Sequence, residues 1–92
     1  MPERRRDDYI TIRVAASRTH LSPRTVRRYI RRGLVEDSLT EDDLAKLRRI
    51  RRLTDLGVNL AGVEVVLHMR GRMEELQAEI RRLEMLIVAE DR

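Results

Sequence analysis

Five arginines lie within nine positions of this sequence, and no acidic residue lies among them. They recur at i, i+3, i+4, i+7 and i+8, the spacing that places side chains on one face of an α-helix: Arg24, Arg27, Arg28, Arg31 and Arg32. A face that only meets solvent normally mixes charge signs, because like charges at this spacing repel. Guanidinium groups bind phosphate oxygens and the edges of guanine, so the pattern predicts a recognition helix over residues 23–32 in the major groove of DNA.

Charge is also segregated along the chain. Residues 9–35 contain seven arginines and no acid, whereas residues 36–43 contain five acids and no base. The formal net charge is only +4, but this distribution gives the first third of the chain a strong local positive field. Such a field is typical of proteins that bind a polyanion.

Several classes of protein are disfavoured by composition. Cysteine is absent, which removes disulfides and thiolate metal sites and fits a reducing compartment. No apolar run approaches the roughly 18 residues that a membrane span requires, and the N-terminus lacks the apolar segment of a signal peptide. No phosphate-binding loop, nucleophile–base pair or metal-ligand cluster is evident. We therefore expect a cytoplasmic protein that is not an enzyme and needs no cofactor or metal.

The first helix is predicted to run from Ile12 to Thr19. Thr11 has the side chain of a good N-cap, and Val14 and Ala15 are expected to face inward. The helix should stop at His20, because histidine tolerates a left-handed conformation better than most residues.

A second helix is predicted to follow after a tight turn. Ser22 is a favoured N-cap and Pro23 suits the first helical position, where its missing N–H costs nothing. The helix should end at Arg32, with Gly33 as a left-handed stop. The side opposite the arginines is apolar and should pack on the first and third helices: Val26, Tyr29, Ile30 and Leu34.

Two further helices complete the predicted fold, which is all-α. Thr40 and Asp43 form a capping-box pattern at the start of the third helix, which should end at Gly57; Asn59 should cap a fourth helix that begins at Leu60. The inner face of the third helix is predicted to consist of Leu44, Leu47, Ile50 and Leu53. We divide the chain into a disordered tail at 1–8, a helix-turn-helix head at 9–58 and a C-terminal helical arm at 59–92.

Apolar residues in the arm alternate at steps of three and four, which is the heptad pattern of a coiled coil. A single helix cannot bury such a stripe against itself, so the pattern predicts a partner helix and a homodimer. The predicted dimer seam consists of Val66, Met69, Met73, Leu76, Ile80, Leu83 and Ile87.

Three stretches resemble the MerR-type winged helix-turn-helix regulators. They are "YITIRVAASRTHLSPRTVRRYIRRGLV", "LTEDDLAKLRRIRRLTDLGVNLAGVEVVL" and the long helix that follows. The segment "GVNLAGVEVVLHMRGRMEELQ" most resembles the heat-shock repressor branch of that family. It is also similar to chaperone-modulator proteins that bind a J-domain co-chaperone. The resemblance covers residues 9 to about 87.

The resemblance implies a bacterial-type transcriptional regulator, expected to be a repressor, that binds an inverted-repeat operator in double-stranded DNA. It implies DNA contact from Thr25, Arg27 and Arg28, flanked by Arg24 and Arg31. The full set of candidate DNA-binding residues is Arg18, Ser22, Arg24, Thr25, Arg27, Arg28 and Arg31. It also implies that the arm pairs with its partner as an antiparallel coiled coil.

The sequence departs from the family pattern at three places. Ile30 replaces a frequent glutamate, and His20 replaces the usual glycine of the turn. Instead of a two-stranded wing rich in Gly, Arg and Tyr, the chain has only "VEDSL" before Thr40. A wing adds contacts to the DNA backbone, so its absence keeps two other functions open: a chaperone-modulator module that binds a protein partner, and an excisionase-like architectural DNA binder.

Overall fold

The structure is a computed structural model that describes residues 9–91; the tail predicted at 1–8 lies outside them. The described backbone forms four helices: α1 (Ile12–Thr19), α2 (Pro23–Arg31), α3 (Glu41–Asp55) and α4 (Leu60–Glu90). One isolated antiparallel bridge joins Ile10 to Leu39, through a 2.8 Å hydrogen bond from the Ile10 N–H to the Leu39 carbonyl. The predicted, mainly helical fold class is confirmed.

The inner face of α1 differs in one residue from the prediction. Thr11 caps the helix by accepting the Val14 N–H at 3.2 Å, as expected. Ala15 is buried, but Val14 is 46% exposed, so its predicted inward position was wrong. Ala15 and Thr19 are four residues apart and lie on the buried side of α1. Val14 is rotated about 100° from Ala15 around the helix axis, which takes it off that buried side.

A tight turn connects α1 to α2. His20 adopts the left-handed conformation with φ of 59°, and its N–H reaches the carbonyls of the last turn of α1. Ser22 caps α2 by accepting the Thr25 N–H at 3.0 Å, with Pro23 in the first turn. The predicted turn and cap are therefore confirmed.

The end of α2 also follows the prediction to within one residue. The helix ends at Arg31 with Arg32 as its C-cap, and Gly33 has a positive φ of 76°. The Leu34 N–H donates to the Tyr29 carbonyl at 3.0 Å, which closes the helix end. Such closure satisfies a carbonyl that would otherwise lack a partner.

The capping box of α3 is formed as predicted. The backbone N–H of Thr40 donates to the Asp43 carboxylate at 2.9 Å, and the Thr40 hydroxyl donates to the same oxygen at 3.0 Å. Asp43 is only 6% exposed, and its carboxylate serves to cap the start of α3. Leu53 is half-buried, and the other predicted inner residues are fully buried: Leu44, Leu47 and Ile50.

The core of the head is aliphatic apart from one tyrosine. α1 packs on both α2 and α3, and no Phe or Trp exists in the chain. Two residues of the connection between α2 and α3, Val35 and Leu39, are also buried at 4% and 0% exposure. The buried apolar residues of the head are Ala15, Ala16, Val26, Tyr29, Val35, Leu39, Leu44, Leu47 and Ile50.

An ion pair connects the end of α1 to the first turn of α3. Arg18 donates from both terminal nitrogens to Glu41, at 2.8 Å to Oε1 and 2.9 Å to Oε2. This parallel arrangement is the bidentate geometry that arginine forms with carboxylates. These hydrogen bonds, donated by Arg18 and accepted by Glu41, lower the pKa of Glu41 and raise the pKa of Arg18.

The chain divides into two compact units between Asn59 and Leu60. The second unit is α4, a continuous helix of 31 residues. Helix geometry makes it about 46 Å long. The helix continues through Gly71, where an added Cβ would meet nothing within 4 Å.

We expect Gly71→Ala to stabilise α4, because alanine costs about 0.5–1 kcal/mol less than glycine inside a helix. Gly57→Ala is the matched control: it also has open space around it, but its φ of +93° strains any L side chain. The midpoint of thermal unfolding, followed by circular dichroism, should rise for Gly71→Ala and fall for Gly57→Ala. Equal shifts in the two variants would contradict this account of backbone conformation.

The Arg18–Glu41 pair predicts a pH-dependent contribution to stability. Because the folded-state pKa of Glu41 lies below its unfolded value, the contribution is fully present above the unfolded pKa and is lost as pH falls through the folded one. Glu41→Gln should therefore unfold at lower urea than wild type at pH 7, with the difference shrinking on acidification below about pH 4.3.

Asp42→Asn is the control for that experiment, because Asp42 lies in the same first turn of α3 but forms no ion pair in the described part of the chain. It reports the helix-dipole effect alone. If Asp42→Asn and Glu41→Gln lowered the urea midpoint equally at every pH, the ion pair would contribute nothing.

Candidate nucleic-acid interface

The five arginines predicted for α2 share one exposed surface, which we call the α2 arginine face. Each of them is exposed, including the C-cap Arg32. On the opposite side Val26 and Tyr29 are buried at 0% and 3% exposure. The amphipathic spacing therefore orients the whole face toward solvent. The face consists of Arg24, Arg27, Arg28, Arg31 and Arg32.

Most of this face is not neutralised by the residues that the structure describes. Among the described residues, no carboxylate lies within 4.0 Å of Arg24, Arg27, Arg28 or Arg31. The Arg28 guanidinium carbon lies 5.7 Å from the centre of the Tyr29 ring, an aromatic contact that leaves its hydrogen-bond donors available. These guanidinium groups can therefore donate to phosphate and base-edge acceptors outside the chain.

Ser22 and Thr25 lie together at the start of α2. The Ser22 hydroxyl donates to the Thr25 hydroxyl oxygen at 2.9 Å while it accepts the Thr25 N–H. Ser22 therefore uses its hydrogen within the protein. The Thr25 hydroxyl retains its own hydrogen for an external acceptor, although its side chain is half-buried.

Arg18 differs from the other candidate DNA-binding arginines because it forms an ion pair within the protein. Both of its terminal nitrogens bind Glu41, 23 residues further along the chain. It lines a cleft of about 320 Å³ together with three arginines of α3 that the sequence interpretation did not single out. Their spacing at i, i+3 and i+4 was the available signal: Arg48, Arg51 and Arg52.

The connection between α2 and α3 contains no wing within the described residues. Its only ladder contact there is the isolated Ile10–Leu39 bridge. Glu36 and Asp37 are exposed in this connection, and neither has an ion-pair partner within residues 9–91. Asp43 and Glu41, by contrast, are engaged in the cap and the ion pair. The predicted loss of the wing thus agrees with the structure.

The predicted dimer seam forms an exposed apolar stripe along α4. Six of its residues are between 46% and 59% exposed, and Val66 is half-buried. Exposed apolar rows of this length are unusual on a monomer and mark interaction surfaces. The six exposed residues are Met69, Met73, Leu76, Ile80, Leu83 and Ile87.

The described residues meet the requirements of neither a metal site of three or more such ligands nor a membrane-spanning helix. No group of three or more His, Cys, Asp or Glu side chains among residues 9–91 could hold a metal ion. None of the helices in that range is long and apolar enough to span a membrane.

Comparison with known proteins agrees with this geometry. The family profile described as MerR HTH family regulatory protein matches residues 10–85. The putative heat shock protein HspR of Streptomyces coelicolor is 35% identical over 95 residues, covering 85% of this chain and 63% of that protein. The chain thus spans less than two thirds of that relative's length. No solved structure shows a significant match.

The alignment with the relative contains gaps, because it is longer than the part of this chain that it covers. The match extends over 95 residues, whereas this chain has only 92, so some positions of the relative have no counterpart here. The matched family consists of transcription regulators rather than enzymes. Both comparisons agree with the helix-turn-helix geometry described above. The chain belongs to the MerR family of helix-turn-helix regulatory proteins, DNA-binding transcription regulators, and lies near their heat-shock branch.

Proposed function

We propose that this protein is a homodimeric transcriptional repressor that recognises a specific DNA sequence with α2. The observation that carries the proposal is the exposed α2 arginine face, in which four of the five arginines have no carboxylate partner among the described residues: Arg24, Arg27, Arg28 and Arg31. A helix in the major groove brings such side chains to the phosphates on both sides and to the base edges between them.

Different residues of the face have different roles in this proposal. Arg27 and Arg28 lie in the middle of α2 and reach base edges together with Thr25. Arg24 and Arg31, near the two ends of the helix, bind phosphates. Bidentate pairing of arginine with guanine gives discrimination between sequences, whereas phosphate contacts fix position and orientation.

The homodimer is supported by the stripe on α4. From Val66 to Ile87 the stripe extends about 32 Å along the helix axis. Its exposed side chains gain from burial against an identical stripe, at roughly 25 cal/mol for each Å² of apolar surface removed from water. The family resemblance supports an antiparallel arrangement, in which a two-fold axis crosses the seam and α2 of each protomer reads one half of an inverted repeat.

The repressor role is supported by the likeness to the heat-shock branch. The missing wing favours a second candidate, a module that regulates a chaperone by binding a J-domain co-chaperone. In that case the acidic connection, with Glu36 and Asp37 exposed, would form part of a protein-binding surface. Sequence-specific DNA binding separates the two candidates, because a protein-binding module has no need for it.

We expect Arg27→Ala and Arg28→Ala each to weaken specific DNA binding by roughly 1–3 kcal/mol. The site is obtained by selection from random duplexes, which should return an inverted repeat with half-sites about one helical turn, or a multiple of it, apart. Binding is then titrated against that site and a scrambled duplex. Because both side chains are exposed, folding stability should change by less than about 0.5 kcal/mol.

Arg81→Ala on α4 serves as the control, since Arg81 is exposed and lies off the seam; it should leave binding unchanged. Weak binding of equal strength to both duplexes, unaffected by Arg27→Ala or Arg28→Ala, would reject the regulator and favour the chaperone-binding module.

Replacing Leu76 with glutamate should convert the dimer to a monomer, because a charge would be buried in the middle of the seam. Ala78→Glu adds the same charge two residues away, at a position that faces away from the seam, and should leave the dimer intact. Sedimentation equilibrium at tens of micromolar measures both. A monomeric wild type, or a dimeric Leu76→Glu variant, would contradict the proposed assembly.

A further inference from the structure

A second cationic surface lies outside the α2 arginine face. The cleft introduced above is lined by residues from the end of α1, from the following turn and from α3, and we call it the α3 cleft. Its volume is about 320 Å³. The residues that line it are Arg18, Thr19, His20, Arg48, Arg51 and Arg52.

We propose that the α3 cleft binds the phosphate backbone of duplex DNA beside the groove that α2 enters. This inference rests on the proposed function and adds a second, sequence-independent contact to it. The cleft holds four guanidinium groups, and guanidinium donates in pairs to phosphate oxygens. No carboxylate is among the described residues that line the cleft, although two carboxylates outside the lining pair with Arg18 and Arg51.

The charge balance of the α3 cleft is positive. Arg18 is paired with Glu41, and the Nε of Arg51 lies 3.8 Å from the Oδ2 of Asp55, a looser pair. Arg52 is exposed and has no ion pair within the described residues. Arg48 is half-buried and contributes to lowering the pKa of Glu41 through its charge, after the larger effect of Arg18. Among the described residues, the four arginines thus have two carboxylate partners.

The position of the α3 cleft favours DNA over another polyanion. His20 lies in the wall of the cleft, and α2 begins only three residues later at Pro23. A phosphate held in the cleft would therefore lie close to the start of the recognition helix. Thr19 closes the wall without being a ligand, because it is buried and its hydroxyl donates to the Ala15 carbonyl at 2.7 Å.

A phosphate contact at the α3 cleft would replace the backbone contacts that a wing normally makes. Wings position a helix-turn-helix head by binding backbone phosphates next to the groove. Here the connection between α2 and α3 carries exposed Glu36 and Asp37, which repel phosphate. Arginines from α3 restore a positive surface on a rigid helix, and they do so without additional residues.

The test compares the double variant Arg48→Ala/Arg52→Ala with a control of equal charge change, Arg81→Ala/Arg82→Ala on α4. Binding to the selected site and to a scrambled duplex is measured as a function of salt. Because phosphate contacts carry no sequence information, the cleft variant should bind both duplexes more weakly by the same factor. The slope of log affinity against log salt concentration should become shallower by about one for each phosphate that is no longer neutralised. If each protomer of a dimer holds one phosphate in its cleft, the slope should change by about two.

Arg52→Lys keeps the positive charge and should retain most of the salt slope, which separates an electrostatic contact from a loss of structure; circular dichroism confirms folding of every variant. Unchanged affinity and slope in the cleft variant, while Arg27→Ala still loses specific binding, would overturn this inference and leave the proposed function intact. A wild type without sequence preference would overturn the proposed function, and the salt slope on the scrambled duplex would still test the cleft. Absence of any DNA binding would overturn both.

Discussion

Burial of Val26 and Tyr29 is the interaction on which the cationic surface depends. Five like charges on a helix of nine residues and its C-cap oppose helix formation when the helix is isolated, and so short a helix is marginal in water in any case. Its apolar side, packed against α1, supplies the stability that its own charges remove. The head therefore keeps a high positive charge density in a fixed geometry, which a flexible arginine-rich segment would have to acquire on binding at an entropic cost.

The acidic residues that follow α2 support the head in two specific ways. Asp43 completes the cap of α3, and Glu41 holds Arg18 across 23 residues of sequence. Both carboxylates also lie in the first turn of α3, where the helix dipole favours negative charge. The acidic run therefore organises the junction between α1 and α3, and only part of it is left as exposed negative surface.

Features set by neighbouring residues were predictable from the sequence. The starts of α1, α2 and α3 follow from local chemistry at Thr11, Ser22 and Thr40, and the turn follows from His20. The orientation of the α2 arginine face follows from helical periodicity alone. The Arg18–Glu41 pair and the α3 cleft were not predictable, because they depend on how α1 lies against α3. The exposure of Val14 was missed for a related reason: the burial of a side chain near a helix end depends on which neighbours reach it.

The short connection between α2 and α3 has a consequence for how such heads diversify. Val35 and Leu39 are buried, Leu39 is also bonded to Ile10, and the three residues between them are exposed. Both ends of the connection are thus fixed in the core, while its middle contributes nothing to packing. The entropic cost of a longer loop rises only slowly with its length. Insertion or deletion at residues 36–38 can therefore change the surface beside the recognition helix during evolution while the core and the helix arrangement are inherited intact.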